Sequence, residues 1–149
     1  MRIARLEREC IGACSRIVGQ NYTEEYQARV KRELGAMFRN QVNPPAYLVA
    51  KEKERVLGFA GYIQSWMDYH VYQIFWVNVR PELQHKGIGT ALVEASIKEI
   101  KKRSGRDAAR LVLLTTTSPG FYTRLGFKML SQVKKDAAAK PNVMMMLRL

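Results

Sequence analysis

An apolar run from Val71 to Val79 stops at Pro81. A few residues later two glycines, Gly87 and Gly89, open a long amphipathic segment that continues to Arg103. The order is strand, glycine loop, helix. Such a loop presents successive backbone N–H groups at a helix N-terminus, where the macrodipole is positive, and a phosphate-bearing ligand is its natural occupant. Glycine lets the backbone approach a ligand with no Cβ in between. Plain turns also contain glycine, so the neighbours carry the information. There is no G-x-x-x-x-G-K-[ST], which leaves a nucleoside-triphosphate loop unsupported, and no complete G-x-G-x-x-G. The pattern present is Gln84-x-x-Gly87-x-Gly89, preceded by Val77-Asn78-Val79-x-Pro81.

A second informative stretch is Gly120-Phe121-Tyr122-Thr123-Arg124-Leu125-Gly126-Phe127. Taken alone, Phe121, Tyr122 and Phe127 read as an aromatic core cluster. Taken with the upstream loop, in this order, the chain resembles the GNAT superfamily of acyl-CoA-dependent N-acyltransferases. The family's signature is [QR]-x-x-G-x-[GA], followed downstream by F-Y-x-x-x-G-F. The resemblance covers Val56 to Leu149, and the N-terminal third agrees only in length and element type.

The resemblance implies a mixed α/β fold: a largely antiparallel sheet of about 6–7 strands, flanked by about four helices and splayed around the coenzyme. It implies acetyl-CoA as co-substrate and no metal. The pyrophosphate would sit on Gln84, His85, Lys86, Gly87, Ile88, Gly89 and Thr90. The pantetheine arm would run along Val77, Asn78 and Val79, with the Val77 N–H polarising the thioester carbonyl. Tyr122 would supply a proton to the departing thiolate, a role its ordinary pKa of ~10 permits. Many members carry an asparagine before the short helix; this chain has Thr115-Thr116-Thr117-Ser118, and Ser118 is the residue taken to replace that contact.

The general base is less legible. Counting back from Gln84 to the place where some protein-acetylating members carry a glutamate lands on Gln73, whose amide cannot accept the proton. Asp68, His70 and Glu54 are nearby in sequence, and His70 has a suitable ordinary pKa. The acceptor is an unidentified primary amine. Rival readings are a protein lysine or N-terminal acetyltransferase, a basic nucleic-acid-associated module without turnover, and an acyl-CoA-binding regulator.

The chain of 149 residues fits one domain. Its apolar runs are too short to span a membrane and its N-terminus lacks a secretory apolar region, which leads us to expect a soluble cytoplasmic protein. Lys and Arg number 25 against 13 acids, a formal charge of +12. That balance favours anionic partners. The positive residues are spread out, so a solvated basic surface is favoured over dedicated nucleic-acid binding. Cys10 and Cys14 read as buried thiols, with neither metal-ligand spacing nor a disulfide framework.

In chain order, residues 2–7 read as a strand, and Glu9–Val18 as a helix ended by Gly19 and Asn21. Thr23 caps a second helix bearing the stripe Tyr26, Val30, Leu34, Met37 and Phe38. Both helices would border the acceptor cleft in the family resembled. Ala46–Ala50, Val56–Ile63 and Val71–Val79 form an antiparallel meander with a charged turn at Lys51–Glu54. The helix after the glycine loop carries a Glu94–Lys98 pair and closes at Gly105. A parallel crossover leads to Leu111–Thr115. Ser118-Pro119 starts a short helix, Phe127–Val133 and Val143–Leu149 are the last strands, and a mobile loop is expected between them at 134–140. Exposed sheet edges make a homodimer an expectation.

Overall fold

The computed structural model describes residues 1–133 and 140–149. The loop expected around 134–139 lies outside the described residues. Seven strands form one sheet: β1 (Arg2–Arg5), β2 (Ala46–Glu52), β3 (Arg55–Gln64), β4 (Val71–Val79), β5 (Leu111–Thr116), β6 (Lys128–Val133) and β7 (Asn142–Arg148). Their order is β1-β2-β3-β4-β5-β7-β6. Every neighbouring pair is antiparallel except β4 and β5. Four α-helices accompany the sheet: α1 (Ile11–Asn21), α2 (Glu24–Ala36), α3 (Ile88–Lys101) and α4 (Pro119–Thr123). This is the mixed, largely antiparallel architecture expected.

Strands β2–β4 are covered on both faces, and their sequence shows why. In a strand, alternate side chains point to opposite faces. Along β2, Ala46, Leu48 and Ala50 join one core, while Tyr47 and Val49 join the other. The first core holds the apolar face of α3, namely Ile88, Leu92, Val93 and Ile100, together with Tyr122 and Phe127. The second holds Cys14, Ile17 and Val18 of α1 and Val30 and Leu34 of α2. Thr23 caps α2 as expected, its hydroxyl accepting from the Tyr26 N–H at 3.3 Å, with Glu24 and Glu25 in the first turn complementing the dipole.

Several local expectations are corrected. Helix α1 does not stop at Gly19 but runs through it to Asn21, with Tyr22 at its C-cap. Gly19 instead allows α2 to come close, since a Cβ there would lie 2.1 Å from Gln27 Oε1. Strand β2 extends to Glu52, so the β2–β3 turn tightens to Lys53-Glu54, with Lys53 at φ 53° and Lys51 buried. Pro81–Leu83 forms a short 3-10 turn rather than an irregular loop. Helix α3 ends at Lys101; Gly105, at φ 64°, opens a separate 3-10 turn. On this helix the ion pair is Glu99–Lys102, not Glu94–Lys98. Ser118 occupies the N-cap of α4 without a side-chain capping bond.

Two irregularities position the site. Strand β4 carries one extra residue against β3, since Phe59 pairs with Asn78 but Gly61 with Phe75. Trp76 takes up that bulge at φ 51°, a conformation bulky residues rarely adopt. Before that bulge, β4 and β5 pair only at Val71–Gln73 against Leu111–Leu113, although both strands continue past that point. Among the described residues, no helix is long and apolar enough to cross a membrane.

Phe59 is fully buried in the second core and touches the Tyr47 ring at a centroid distance of 6.4 Å. Phe59→Ala should therefore lower stability by about 3–5 kcal/mol in chemical denaturation.

Candidate active site

The open edge between β4 and β5 leads into a cleft of ≈ 750 Å³. Val77, Asn78 and Val79 line one wall, and Thr116, Ser118 and Tyr122 the other. The hydrogen-bonding phase of the sheet explains the first wall. The Arg80 N–H donates to the Leu57 carbonyl at 2.9 Å, so the backbone groups of Val79, one residue earlier, point away from β3. With β5 no longer paired at that level, they face the cleft.

At one end of the cleft the chain turns into α3. His85 and Gly87 are both left-handed, at φ 61° and 85°. Gly87 is the N-cap of α3 and offers no side chain to cap it. The first amides of the helix, at Ile88, Gly89 and Thr90, therefore remain open for an anion. Gly87 has open space where a Cβ would stand, and it is needed for its positive φ. At Gly89 a Cβ would come into van der Waals contact with the Phe121 ring at 3.4 Å.

The sequence-derived residues divide cleanly. Gln84, His85, Gly87, Gly89 and Thr90 line the cleft. Ile88 sends its side chain into the core and offers only its backbone. Lys86 is exposed and lies outside the lining. Asn78 is buried, and its side-chain oxygen accepts from Asn21 Nδ2 at 3.0 Å. The Val79 carbonyl is not free as expected: it accepts from Asn21 Nδ2 at 3.0 Å and from Gln84 Nε2 at 3.2 Å. Gln84 also donates to Asn21 Oδ1 at 3.0 Å. Asn21 thus ties the end of α1 to β4 and to the glycine loop. Nothing in the sequence marked it beyond a helix stop.

Tyr122 is 8% exposed, and its ring packs edge-on against Phe121 and Phe127. Its hydroxyl makes no hydrogen bond among the described residues, yet no side-chain polar atom is both buried and unpaired. The hydroxyl therefore opens into the cleft. Burial, with a smaller contribution from nearby Tyr22, pushes the phenol well above its ordinary pKa.

His70 and Asp68 are not brought to this site. They precede the first residue of β4, whereas the cleft lies beside its last three, roughly 23–30 Å along the strand at ~3.3 Å per residue. His70 Nδ1 lies 2.7 Å from the Ala108 carbonyl, and Asp68 Oδ1 accepts from the His70 N–H at 2.8 Å. Glu54 sits in the β2–β3 turn beside Lys51. Cys10 and Cys14 are buried and free, and burial, then the neighbouring Cys10, raises the Cys14 thiol to about 12. Such a thiol is no nucleophile at neutral pH.

A second cavity, of ≈ 680 Å³, opens on the α2 side of the sheet. Trp76 and Thr115 line it, whereas their chain neighbours Val77 and Thr116 line the first. The two cavities therefore lie on opposite faces of the sheet at the level where β4 and β5 have ceased to pair. Gln73, Glu33 and Tyr26 also border the second cavity.

The family model for GNAT acetyltransferases matches residues 11–127. The chain belongs to the GNAT acetyltransferase family. No curated protein matches it in sequence. Among solved structures, a GNAT-family protein from Desulfovibrio desulfuricans is similar at TM-score 0.83 and 20% identity, over 99% of this chain and 98% of that one. An aminoglycoside 6'-N-acetyltransferase complexed with coenzyme A is similar at TM-score 0.81 and 18% identity, over 99% and 97%. The PaiA N-acetyltransferase of Thermoplasma acidophilum, also with coenzyme A, is similar at TM-score 0.74 and 18% identity, over 99% and 98%. At these identities the likeness concerns the fold. The GNAT fold places the splayed strands and the open helix end of this chain side by side.

Gly87→Ala should force an alanine into the left-handed region and cost about 1–2 kcal/mol of stability. Coenzyme A affinity, read by calorimetry, should weaken in the same variant as the amides shift; unchanged affinity would show that Gly87 does not shape the anion site.

Proposed function

We propose that this protein moves an acetyl group from acetyl-CoA to a primary amine by direct attack within a ternary complex. The observation that carries the reading is the short β4–β5 pairing. Its open edge borders a cleft lined both by the glycine loop at the start of α3 and by Tyr122, and the second cavity lies at the same level on the opposite face.

In this reading the His85–Thr90 backbone and the positive end of α3 hold the pyrophosphate, and Ser118 and Thr116 flank the pantetheine arm. The thioester carbonyl lies against the Val77 N–H. Attack of the amine lone pair on the carbonyl carbon moves the C–O electron pair onto oxygen. A preorganised donor at that oxygen is worth roughly 3–4 kcal/mol. Collapse of the intermediate restores the carbonyl and expels the thiolate. Proximity of the two reactants supplies much of the remaining acceleration.

Tyr122 then meets the sulfur. Its raised pKa makes complete proton transfer to a thiolate of ordinary pKa ~8.5 uphill, so its contribution is a hydrogen bond to the developing charge. The raised pKa also keeps the phenol protonated beyond its usual range. The amine attacks as the free base; its nitrogen is then cationic and gives up one proton to solvent as the C–S bond breaks, and the thiolate, hydrogen-bonded by Tyr122, takes a proton from solvent in turn, leaving the neutral amide and the thiol. The homodimer expectation rests on the β6 edge, where Met129, Leu130 and Val133 are exposed.

Acetyl-CoA at about a hundred times its Kd should stabilise the fold by about 2.7 kcal/mol and raise Tm accordingly. No shift at saturation would dismiss the coenzyme. Tyr122→Phe should lower kcat about a hundredfold with coenzyme affinity retained; an unaltered kcat would remove Tyr122 from the chemistry. The profile of kcat/KM should climb with pH toward the acceptor's own pKa. A rise that vanishes in His70→Ala would instead assign the proton to that residue.

A further inference from the structure

The second cavity is bordered by two charged side chains, Arg29 and Glu33, and by a run of aromatic ones. Glu33 is held from two sides. Its Oε2 accepts from the Trp76 indole N–H, and its Oε1 lies 3.1 Å from Arg29 Nε. A carboxylate has about four acceptor positions, so both oxygens keep capacity toward the cavity. Trp76, Tyr26 and Tyr22 pack mutually at centroid distances of 5.7–6.5 Å, with their planes inclined by 56–78°. Tyr22 is 57% and Tyr26 41% exposed, so π faces remain open to solvent.

These aromatic residues stand at the partition between the two cavities. Tyr22 lines the first, and Tyr26 and Trp76 the second. The bulge in β4 is what turns Trp76 into this position, at φ 51°. An acceptor approaching the gap from the α2 side therefore passes aromatic faces and an oriented carboxylate together. Both features attract positive charge, the rings through their quadrupoles and the carboxylate directly. The competing feature is Arg29, whose guanidinium stands at the rim with a side chain 62% exposed.

Resting on the acetyltransferase reading above, we infer that Glu33 with Trp76 and Tyr26 forms a cation subsite, so that the favoured acceptors are amines bearing a second positive centre. One amine enters the gap as free base and the distal ammonium stays on Glu33 and the rings. Arg29 acts as a built-in competitor: it occupies Glu33 in the free protein and is displaced by the distal ammonium.

The test compares three matched acceptor series of equal chain length: α,ω-diamines, alkyl monoamines and ω-amino carboxylates. Diamines should exceed monoamines in kcat/KM by about tenfold, chiefly through KM. Glu33→Gln should erase that advantage while leaving monoamine kcat in place. Arg29→Gln should lower KM for diamines, a sign that loss of mere structural support would not produce. A preference for amino carboxylates that disappears in Arg29→Gln would overturn the proposal, as would an undiminished diamine advantage in Glu33→Gln.

Binding is read separately from turnover. With Trp66, which is 71% exposed, replaced by Phe, Trp76 is the sole indole, and its fluorescence reports diamine binding to the coenzyme A complex. Saturable quenching by a diamine that is lost in Glu33→Gln, without acetyl transfer to any amine, would sustain the subsite and defeat the acetyltransferase reading. Absence of binding at millimolar diamine would defeat the subsite whatever the enzyme acetylates.

Discussion

The hydrogen bonds that β4 and β5 fail to make govern this molecule. Pairing holds over Val71–Gln73 and Leu111–Leu113 and then ends, yet both strands stay ordered because each has its other neighbour. β4 remains bonded to β3 as far as Val79, and β5 to β7 as far as Thr116. A sheet interior would ordinarily leave no backbone polar group unpaired. Here the unpaired groups face a cleft, where solvent or a ligand with its own amides can satisfy them. The opening is stable because the first core spans it, joining residues of β2–β4 to Val112 and Leu114 of β5 and Val143 and Met145 of β7, while the second core backs the β2–β4 side.

Around that opening the polar side chains act mostly as fasteners. Asn21 bonds Asn78 and the Val79 carbonyl, and Gln84 bonds both Asn21 and the same carbonyl. The end of α1, the end of β4 and the start of the glycine loop are thereby made one unit. The glutamine of the motif is thus a strut for the loop in the free protein. The loop's own left-handed residues, His85 and Gly87, then set where the amides of α3 point.

Elements with strong periodicity were legible from residues alone. β4 was read at its exact bounds, and α3 and the meander within a residue or two, because apolar spacing reports which face is buried. Thr23 was legible as a cap because its hydroxyl acts on a neighbour in sequence. Of the two stops read for α1, Asn21 holds and Gly19 does not, because Gly19 answers to Gln27 on another helix, a tertiary demand with no local mark. His70 and Asp68 attracted notice for their chemistry, but chemistry says nothing about which end of a strand faces a ligand. Glu33 and Trp76 sit in ordinary helix and strand patterns, and only their meeting across α2 and β4 gives them a role.

Residues alone determined the family, the order of strands and helices, and the glycine turn at Gly87. Each depends on short-range spacing, on the φ that glycine permits, or on a motif contiguous in the chain. The folded structure alone decided where pairing lapses, that Trp76 absorbs a bulge, and that a cavity lies on each face of the sheet at that level. Those outcomes come from register and packing between segments far apart in sequence, where each strand's position is settled by its neighbours rather than by its own residues.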